Sequence, residues 1–253
     1  MVDFSLFDTR GYPTVDVRTG YAGWVDSYER TVQDAMDVDV LARLAVPDWA
    51  AAATAVDLGC GTGRTGAWLR GRGVGAVDGV DLTPEMLARA RTRGAHRTLV
   101  ESDLAATGLP TAGYDLAACS LVDEHLADLA PLYREAHRLV RPGGLFVLVG
   151  LHPAFIMAAG MPTHYDGPDG PVAITTHVHL VSDHLTAGLA AGWRLAEMRE
   201  QVVGDEWIAL KPKWSRHRGR PVSAAYVWQS GADRGREEPR EAEGARGKDD
   251  ARQ

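Results

Sequence analysis

Cysteine is nearly missing from this 253-residue chain, which has only Cys60 and Cys119. Two thiols in a chain of this size make no disulfide framework, and without a CxxC pair there is no thiolate set for structural zinc. Long apolar stretches are missing too. No uncharged run reaches the roughly 18 residues that a membrane-spanning helix requires. The opening "MVDFSLFDTRGYPTV" lacks the basic start and apolar stretch of a secretory leader. Positive charge is in deficit: 27 Lys and Arg face 34 Asp and Glu, for a net charge of -7. That balance argues against a broad nucleic-acid or anionic-membrane surface, because nothing would neutralise the phosphates. A local exception is "KPKWSRHRGR" at 211–220, which reads either as a solvated loop or as an anion site. Together these deficits give the expectation of a soluble protein in a reducing, cytoplasmic setting, with no nucleic acid and no membrane among its partners.

What is present is strand–helix alternation. After a mixed, turn-rich stretch at 1–20, Val25, Tyr28, Val32, Met36, Val40 and Leu44 recur at three- and four-residue steps. That spacing predicts one helix from 21 to 46, ended by Pro47. Apolar strands are then expected at 53–58, 75–81, 97–101, 114–120 and 145–150, with helices at 65–72, 84–93 and 131–140. Near-continuous apolar strands separated by helices imply a parallel sheet covered on both faces. Thr83-Pro84 places an N-cap and a first-turn proline at a helix start, and Arg141-Pro142-Gly143-Gly144 stops a helix. A helix at 182–191 and strands at 194–203 and 221–228 complete the pattern. The expected organisation is a helical cover over 1–48 and a main domain over 49–230, with a lid at 151–180. The charged stretch 231–253, which has no apolar pattern, is expected to be a disordered tail.

The strongest local signal is Asp57-Leu58-Gly59-Cys60-Gly61-Thr62-Gly63, between a strand and a helix. Glycines there let the chain reverse tightly and let a ligand lie against bare backbone, at the carboxyl end of a parallel sheet where ligands bind. Gly61, Gly63 and Gly66 also spell the dinucleotide pattern GxGxxG, with Asp81 downstream. Asp57 separates the readings, since a carboxylate at the loop's mouth opposes a pyrophosphate. It suits S-adenosylmethionine, which carries an ammonium and a sulfonium and no phosphate. Asp81, ending the second strand, is placed to accept both ribose hydroxyls. Asp103, after the third strand, is placed near an adenine amino group, with Leu82, Met86 and Leu104 about the ring.

The segments "VDLGCGTGR", "GVDLTPEMLARAR", "ESDL", "YDLAACSLVDEHL" and "LVRPGGLFVLV" resemble the successive motifs of class I S-adenosylmethionine-dependent methyltransferases. The resemblance is greatest to the small-molecule group of the ubiquinone and menaquinone enzymes. It covers about residues 56–150, with a weaker likeness at 21–28. It implies a Rossmann-like, doubly wound, seven-stranded sheet and cofactor roles for Gly59, Gly61, Asp81, Leu82, Asp103, Leu104 and Ser120. Tyr21 and Tyr28, in "YAGWVDSY", look like a tyrosine-bearing segment that closes over the cofactor, although Tyr28 is equally explained as the apolar face of a helix. Motifs of other branches are missing. Ser120-Leu121-Val122-Asp123 stands in place of an Asn/Asp-Pro-Pro-aromatic motif, and Leu151-His152-Pro153 in place of a magnesium-holding Asp-Asn pair.

Five of the nine histidines, His152, His164, His177, His179 and His184, fall at 151–184, the segment expected to roof an acceptor pocket. Histidine titrates near neutral pH and suits the removal of a proton from an acceptor. His152 is the first candidate base by position, followed by His125, His164 and His177, with a structural role open for each. No metal site is expected, since the spacing of His177, His179 and His184 matches no known zinc pattern. The expected chemistry is methyl transfer to an O or N nucleophile of a small metabolite. A cofactor-binding fold without transfer stays open, and a nicotinamide oxidoreductase is disfavoured by Asp57.

Overall fold

The computed structural model describes residues 2–32 and 36–231, so the expected tail, Gly231 apart, lies outside the described residues. In chain order the strands are β1 (Thr14–Val15), β2 (Thr54–Leu58), β3 (Ala76–Asp81), β4 (Thr98–Glu101), β5 (Tyr114–Ser120), β6 (Val140–Leu151), β7 (His164–Gly167), β8 (Gly170–Ile174), β9 (Arg194–Val202) and β10 (Pro221–Gln229). The helices are α1 (Val17–Trp24), α2 (Tyr28–Thr31), α3 (Val38–Leu41), α4 (Arg64–Gly71), α5 (Pro84–Arg93), α6 (Ala130–Leu139), α7 (Pro153–Ala159), α8 (Val181–Ala190) and α9 (Asp205–Leu210).

Seven strands form the main sheet in the order β4-β3-β2-β5-β6-β10-β9. β10 runs antiparallel to both β6 and β9, and the pairings from β4 through to β6 are all parallel. Alternation along the strands builds two cores. Phe146 and Leu148 of β6 face one side with Val56, Leu58, Tyr226 and Trp228, where α6 adds Leu132, Tyr133, Ala136 and Leu139. Val147 and Val149 face the other side with Ala55, Val77 and Leu116, covered by Leu69 of α4 and by Val40, Leu41 and Leu44. Strand order reverses between β2 and β5, which opens a crevice at their carboxyl ends. The glycine loop follows β2, and Leu121-Val122 follows Ser120 at the end of β5.

The principal strands and helices of the sheet lie within a residue or two of the sequence-based bounds, except that β6 begins five residues early. Its pairing with β5 jumps from Tyr114↔Val140 to Leu116↔Leu145, so the proline–glycine stretch bulges out of the strand rather than preceding it.

The single helix expected at 21–46 is a larger departure. Asp16 caps α1 by accepting from Thr19 N at 3.0 Å, so the helix starts early and ends at Trp24. α2 and α3 are then separate short turns. The apolar spacing is real, but Val40 and Leu41 dock on the sheet while Tyr21 and Tyr28 face the crevice, and one straight helix could not serve both. In the segment 151–180, α7 is followed by the hairpin β7–β8, and β8 pairs in parallel with β1. The glycine-rich "GPDGP" forms the tip of that hairpin. N-terminal residues and the segment after β6 thus form one cover above the crevice.

Candidate active site

Two cavities share this crevice. The smaller, of about 200 Å³, is lined by Gly59 and Gly61 of the glycine loop, by Asp81, Leu82, Thr83 and Met86 at the β3–α5 junction, and by Asp103 and Leu104 after β4. Ser120 at the end of β5 and Leu121, Val122, His125 and Leu126 after it close it on one side, and Val17, Tyr21 and Tyr28 from the cover close it on the other. Nine of the ten residues expected to hold a cofactor therefore meet in one place.

Each is there for a local reason. Gly61 has a φ of +51°, and a Cβ built on it would meet nothing within 4 Å, so its bare backbone faces open space. Asp81 ties the loop to the helix start: Oδ2 accepts from Gly61 N and Oδ1 from Thr83 N, both at 2.8 Å. Burial pushes this carboxyl above its ordinary range, against the pull of those two N–H groups. Thr83 occupies the N-cap position of α5, but its side chain makes no capping bond there. Ser120 gives its hydroxyl to Asp37 at 3.0 Å, and the same carboxylate pairs with Arg64 at 2.8 Å. Tyr28 lies within this polar group, its hydroxyl pushed up to about 12 chiefly by burial.

Asp57 is the exception. It does not line either cavity and is only 1% exposed, lying under the loop with its Oδ2 3.2 Å from His96 Nε2. His96 also accounts for Gly66, where a Cβ would collide with the imidazole. The third glycine of the apparent GxGxxG is thus a packing requirement of a buried histidine, and Asp57 meets that histidine beneath the loop rather than standing at its mouth.

The larger cavity, of about 510 Å³, adjoins the first, and Tyr21, Tyr28 and Leu121 line both. Its walls include Trp24, Phe155, Met161, Tyr165 and Trp214, together with Glu124, Thr163 and His164. Leu121, at the shared wall, has a φ of +57°, a strained position for a branched side chain. Its N–H is held by Val149 O at 2.8 Å.

The four candidate bases have different surroundings. His152 is the N-cap of α7, because Pro153 fixes the first helical position. Its Nδ1 accepts from Ala154 N at 3.1 Å, so Nε2 carries the proton and donates to Glu200 at 2.9 Å. With both nitrogens engaged and lining neither cavity, His152 acts as a helix cap, and its place as first candidate is corrected. His177 lines neither cavity; its ring lies against His179 and its backbone N–H bonds Glu124 O at 2.6 Å. It too is set aside as a base. His164 lines the larger cavity, with Nδ1 3.0 Å from the Pro162 carbonyl.

His125 lines the smaller cavity. Its Nδ1 lies 2.7 Å from the Thr175 carbonyl, which can only accept, so Nδ1 holds the proton. The Tyr21 hydroxyl therefore donates to Nε2 at 2.9 Å. Burial holds His125 down to about 4 and pushes Tyr21 well above its ordinary value. Beside it, buried Glu124 is pushed up to about 8 by desolvation, although Thr163 Oγ1 donates to it at 2.7 Å. Glu124 and Leu121 were not singled out from the sequence. An acid in "SLVDEHL", directly after an apolar strand, is a signal for the first. The backbone strain at Leu121 has no sequence signal.

Comparison with known proteins agrees with this architecture. Residues 56–148 match a family described as methyltransferase domain. The chain is 40% identical over 131 residues to a trans-aconitate 2-methyltransferase of Azoarcus sp. (strain BH72), covering 51% of this chain and 46% of that protein. It is 35% identical over 105 residues to a malonyl-[acyl-carrier protein] O-methyltransferase of Serratia marcescens, covering 42% of this chain and 41% of the relative. The matches thus span less than half the length of these curated relatives, and neither belongs to the ubiquinone and menaquinone group. A solved S-adenosylmethionine-dependent methyltransferase from Mesorhizobium loti superposes with a TM-score of 0.63 at 28% identity, covering 77% of this chain and 97% of that one. Residues 56–148 are thus similar to a methyltransferase domain, and the sheet as a whole resembles a solved S-adenosylmethionine-dependent methyltransferase.

Proposed function

We propose that this chain transfers a methyl group from S-adenosylmethionine, held in the smaller cavity, to an oxygen or nitrogen nucleophile of a small metabolite seated in the larger one. The observation that carries the proposal is the shared wall: Tyr21, Tyr28 and Leu121 border both cavities, so a donor and an acceptor can meet there.

The residues present suit the donor. Gly59 and Gly61 offer bare backbone, Asp81 and Asp103 offer acceptors for ribose hydroxyls and an adenine amino group, and Leu82, Met86 and Leu104 supply an apolar slot. When bound, S-adenosylmethionine supplies a methyl carbon already activated by its sulfonium. The chain's own task is to align the two reactants and exclude water. Tyr21 and Tyr28, carried on the cover, close the cavity from above. The Tyr21–His125 pair fixes the geometry of the shared wall, and His164 stands as the second histidine within reach of an acceptor.

The test is incubation of the protein with S-adenosylmethionine and a panel of acids, phenols and amines, read as S-adenosylhomocysteine formed. Turnover with any acceptor supports the proposal. Tight cofactor binding with no turnover across the panel would instead make this a binding fold without transfer. Affinity for NAD in place of S-adenosylhomocysteine would return the oxidoreductase reading.

A further inference from the structure

The basic run at 211–220 is not a loose solvated loop. Trp214 and His217 are buried within it, with Trp214 stacked on Trp207 at 4.6 Å and on Phe155 at 5.0 Å. These contacts anchor the 3-10 segment Pro212–His217 against the larger cavity, where Lys211, Lys213 and Arg216 line the wall. Arg10 joins them from the N-terminal stretch. None of these four cations has a carboxylate within ion-pair distance among the described residues. Arg218 of the same run, which does not line the cavity, is paired with Asp205. Lys211 lies above the Trp214 ring at 5.7 Å, and burial together with the neighbouring charge of Lys213 lowers its ammonium. Arg10, Lys213 and Arg216 are exposed and Lys211 is half-buried. Asp166 and Glu124 also line the cavity without pairing with these cations, and four cations on one wall concentrate anions in the space it borders.

The second observation lies in the smaller cavity, beside the shared Tyr21. His125 has one lone pair, and Tyr21 already donates to it. Charging that buried imidazole, or ionising Tyr21, is disfavoured by desolvation. Both nitrogens of His125 are thus engaged, by Tyr21 and by the Thr175 carbonyl, so this histidine has no open lone pair for an acceptor's proton, and a carboxylate acceptor has no proton to give up.

We infer that the acceptor is a di- or tricarboxylic acid, methylated on one carboxylate at the shared wall while a second carboxylate is held by Lys211, Lys213, Arg216 and Arg10. A carboxylate oxygen forms the new O–CH3 bond with its own electron pair. The C–S bond breaks with its pair left on sulfur, giving a methyl ester and S-adenosylhomocysteine with no proton to remove. The inference rests on the larger cavity being the acceptor site.

The experiment uses propane-1,2,3-tricarboxylate and a series of dicarboxylates beside an uncharged catechol and a primary amine, for the native protein and for the double variant Lys211→Gln/Lys213→Gln. Expected are alkali-labile methyl esters from the acids, a KM at least tenfold higher in the double variant with kcat largely kept, and S-adenosylhomocysteine affinity within twofold of native. In the presence of S-adenosylhomocysteine, calorimetry should show polyacid binding that the double variant weakens to a similar degree. Turnover with only the catechol or the amine would overturn the inference and leave methyl transfer standing. Equal polyacid affinity in both proteins, or polyacid binding to neither, would also overturn it. No turnover with any acceptor would count against the transfer reading itself.

Discussion

Replacing Asp81 by alanine should separate the two things this carboxylate does. In the structure its oxygens accept from Gly61 N and Thr83 N, each at 2.8 Å, so removing it leaves the glycine loop and the start of α5 without their common tie. A hydrogen bond to a charged group contributes about 1.5–3 kcal/mol net. Burial opposes the ionised form here, and loss of the carboxylate returns part of that cost. The net loss is therefore expected near 2 kcal/mol in all, or about 4–8 °C in melting temperature for a domain of this size. If Asp81 also accepts the ribose hydroxyls of the donor, the variant loses at least one further charged hydrogen bond, and since about 1.4 kcal/mol is a factor of ten, affinity should fall more than tenfold. Titration calorimetry with S-adenosylhomocysteine, run well below either melting transition, measures that second effect separately from the first. A variant that melts earlier yet binds with native affinity would show that Asp81 only braces the loop, and the assignment of the smaller cavity to the donor would lose its polar anchor.

Other expectations follow from the same contacts. His152→Ala removes an N-cap and the bond to Glu200, so melting should fall by a few degrees through a loss of roughly 1–2 kcal/mol, while donor affinity and kcat hold; a hundredfold loss of rate would restore His152 as the base. His125→Ala should lower kcat by less than tenfold on a carboxylate acceptor, because a working general base contributes about 10²–10⁴; a larger loss in steady-state assays would contradict the view that the nucleophile arrives ionised. Glu124, raised from 4.5 to about 8, stays protonated in the fold where the unfolded chain releases its proton. Its contribution to stability is present in full below 4.5 and is lost as pH rises through 8. His125, lowered from 6.5 to about 4, has the opposite slope, which fades above 6.5. Between pH 6.5 and 8, denaturant titrations of the native protein should therefore show a decline of up to about 1.4 kcal/mol per pH unit. Glu124→Gln should flatten it, and an unchanged slope would show that Glu124 is not the group involved.

The sheet was legible because its signals are local. Strands such as "TAVDL" are short, largely apolar and buried on both faces, and Pro84 and Gly94 mark the two ends of α5 within a few residues. Most of the donor cavity was legible for the same reason: Gly61, Asp81, Asp103 and Ser120 sit at strand ends that the topology brings together. Asp57 was misplaced because its partner, His96, lies 39 residues on, and nothing local marks that histidine as the group packed under the loop. The cover failed differently. Its helical spacing serves two surfaces at once, and α1 packs through Gly20 on Ile174 and through Gly23 on Tyr165, contacts that only the fold supplies. The histidines at 151–184 looked alike in sequence. Their roles depend on which carbonyl or carboxylate each ring nitrogen meets, as with His152 on Glu200 and His125 on Thr175.

The most direct measurement is a crystal structure of the protein with S-adenosylhomocysteine. Adenosine is expected in the smaller cavity, with its ribose on Asp81 and its base among Leu82, Met86 and Leu104. The sulfur should sit at the wall formed by Tyr21, Tyr28 and Leu121 and face the larger cavity. A ligand bound elsewhere, or one whose sulfur points away from that wall, would contradict the proposal that the two cavities are donor and acceptor halves of one active site.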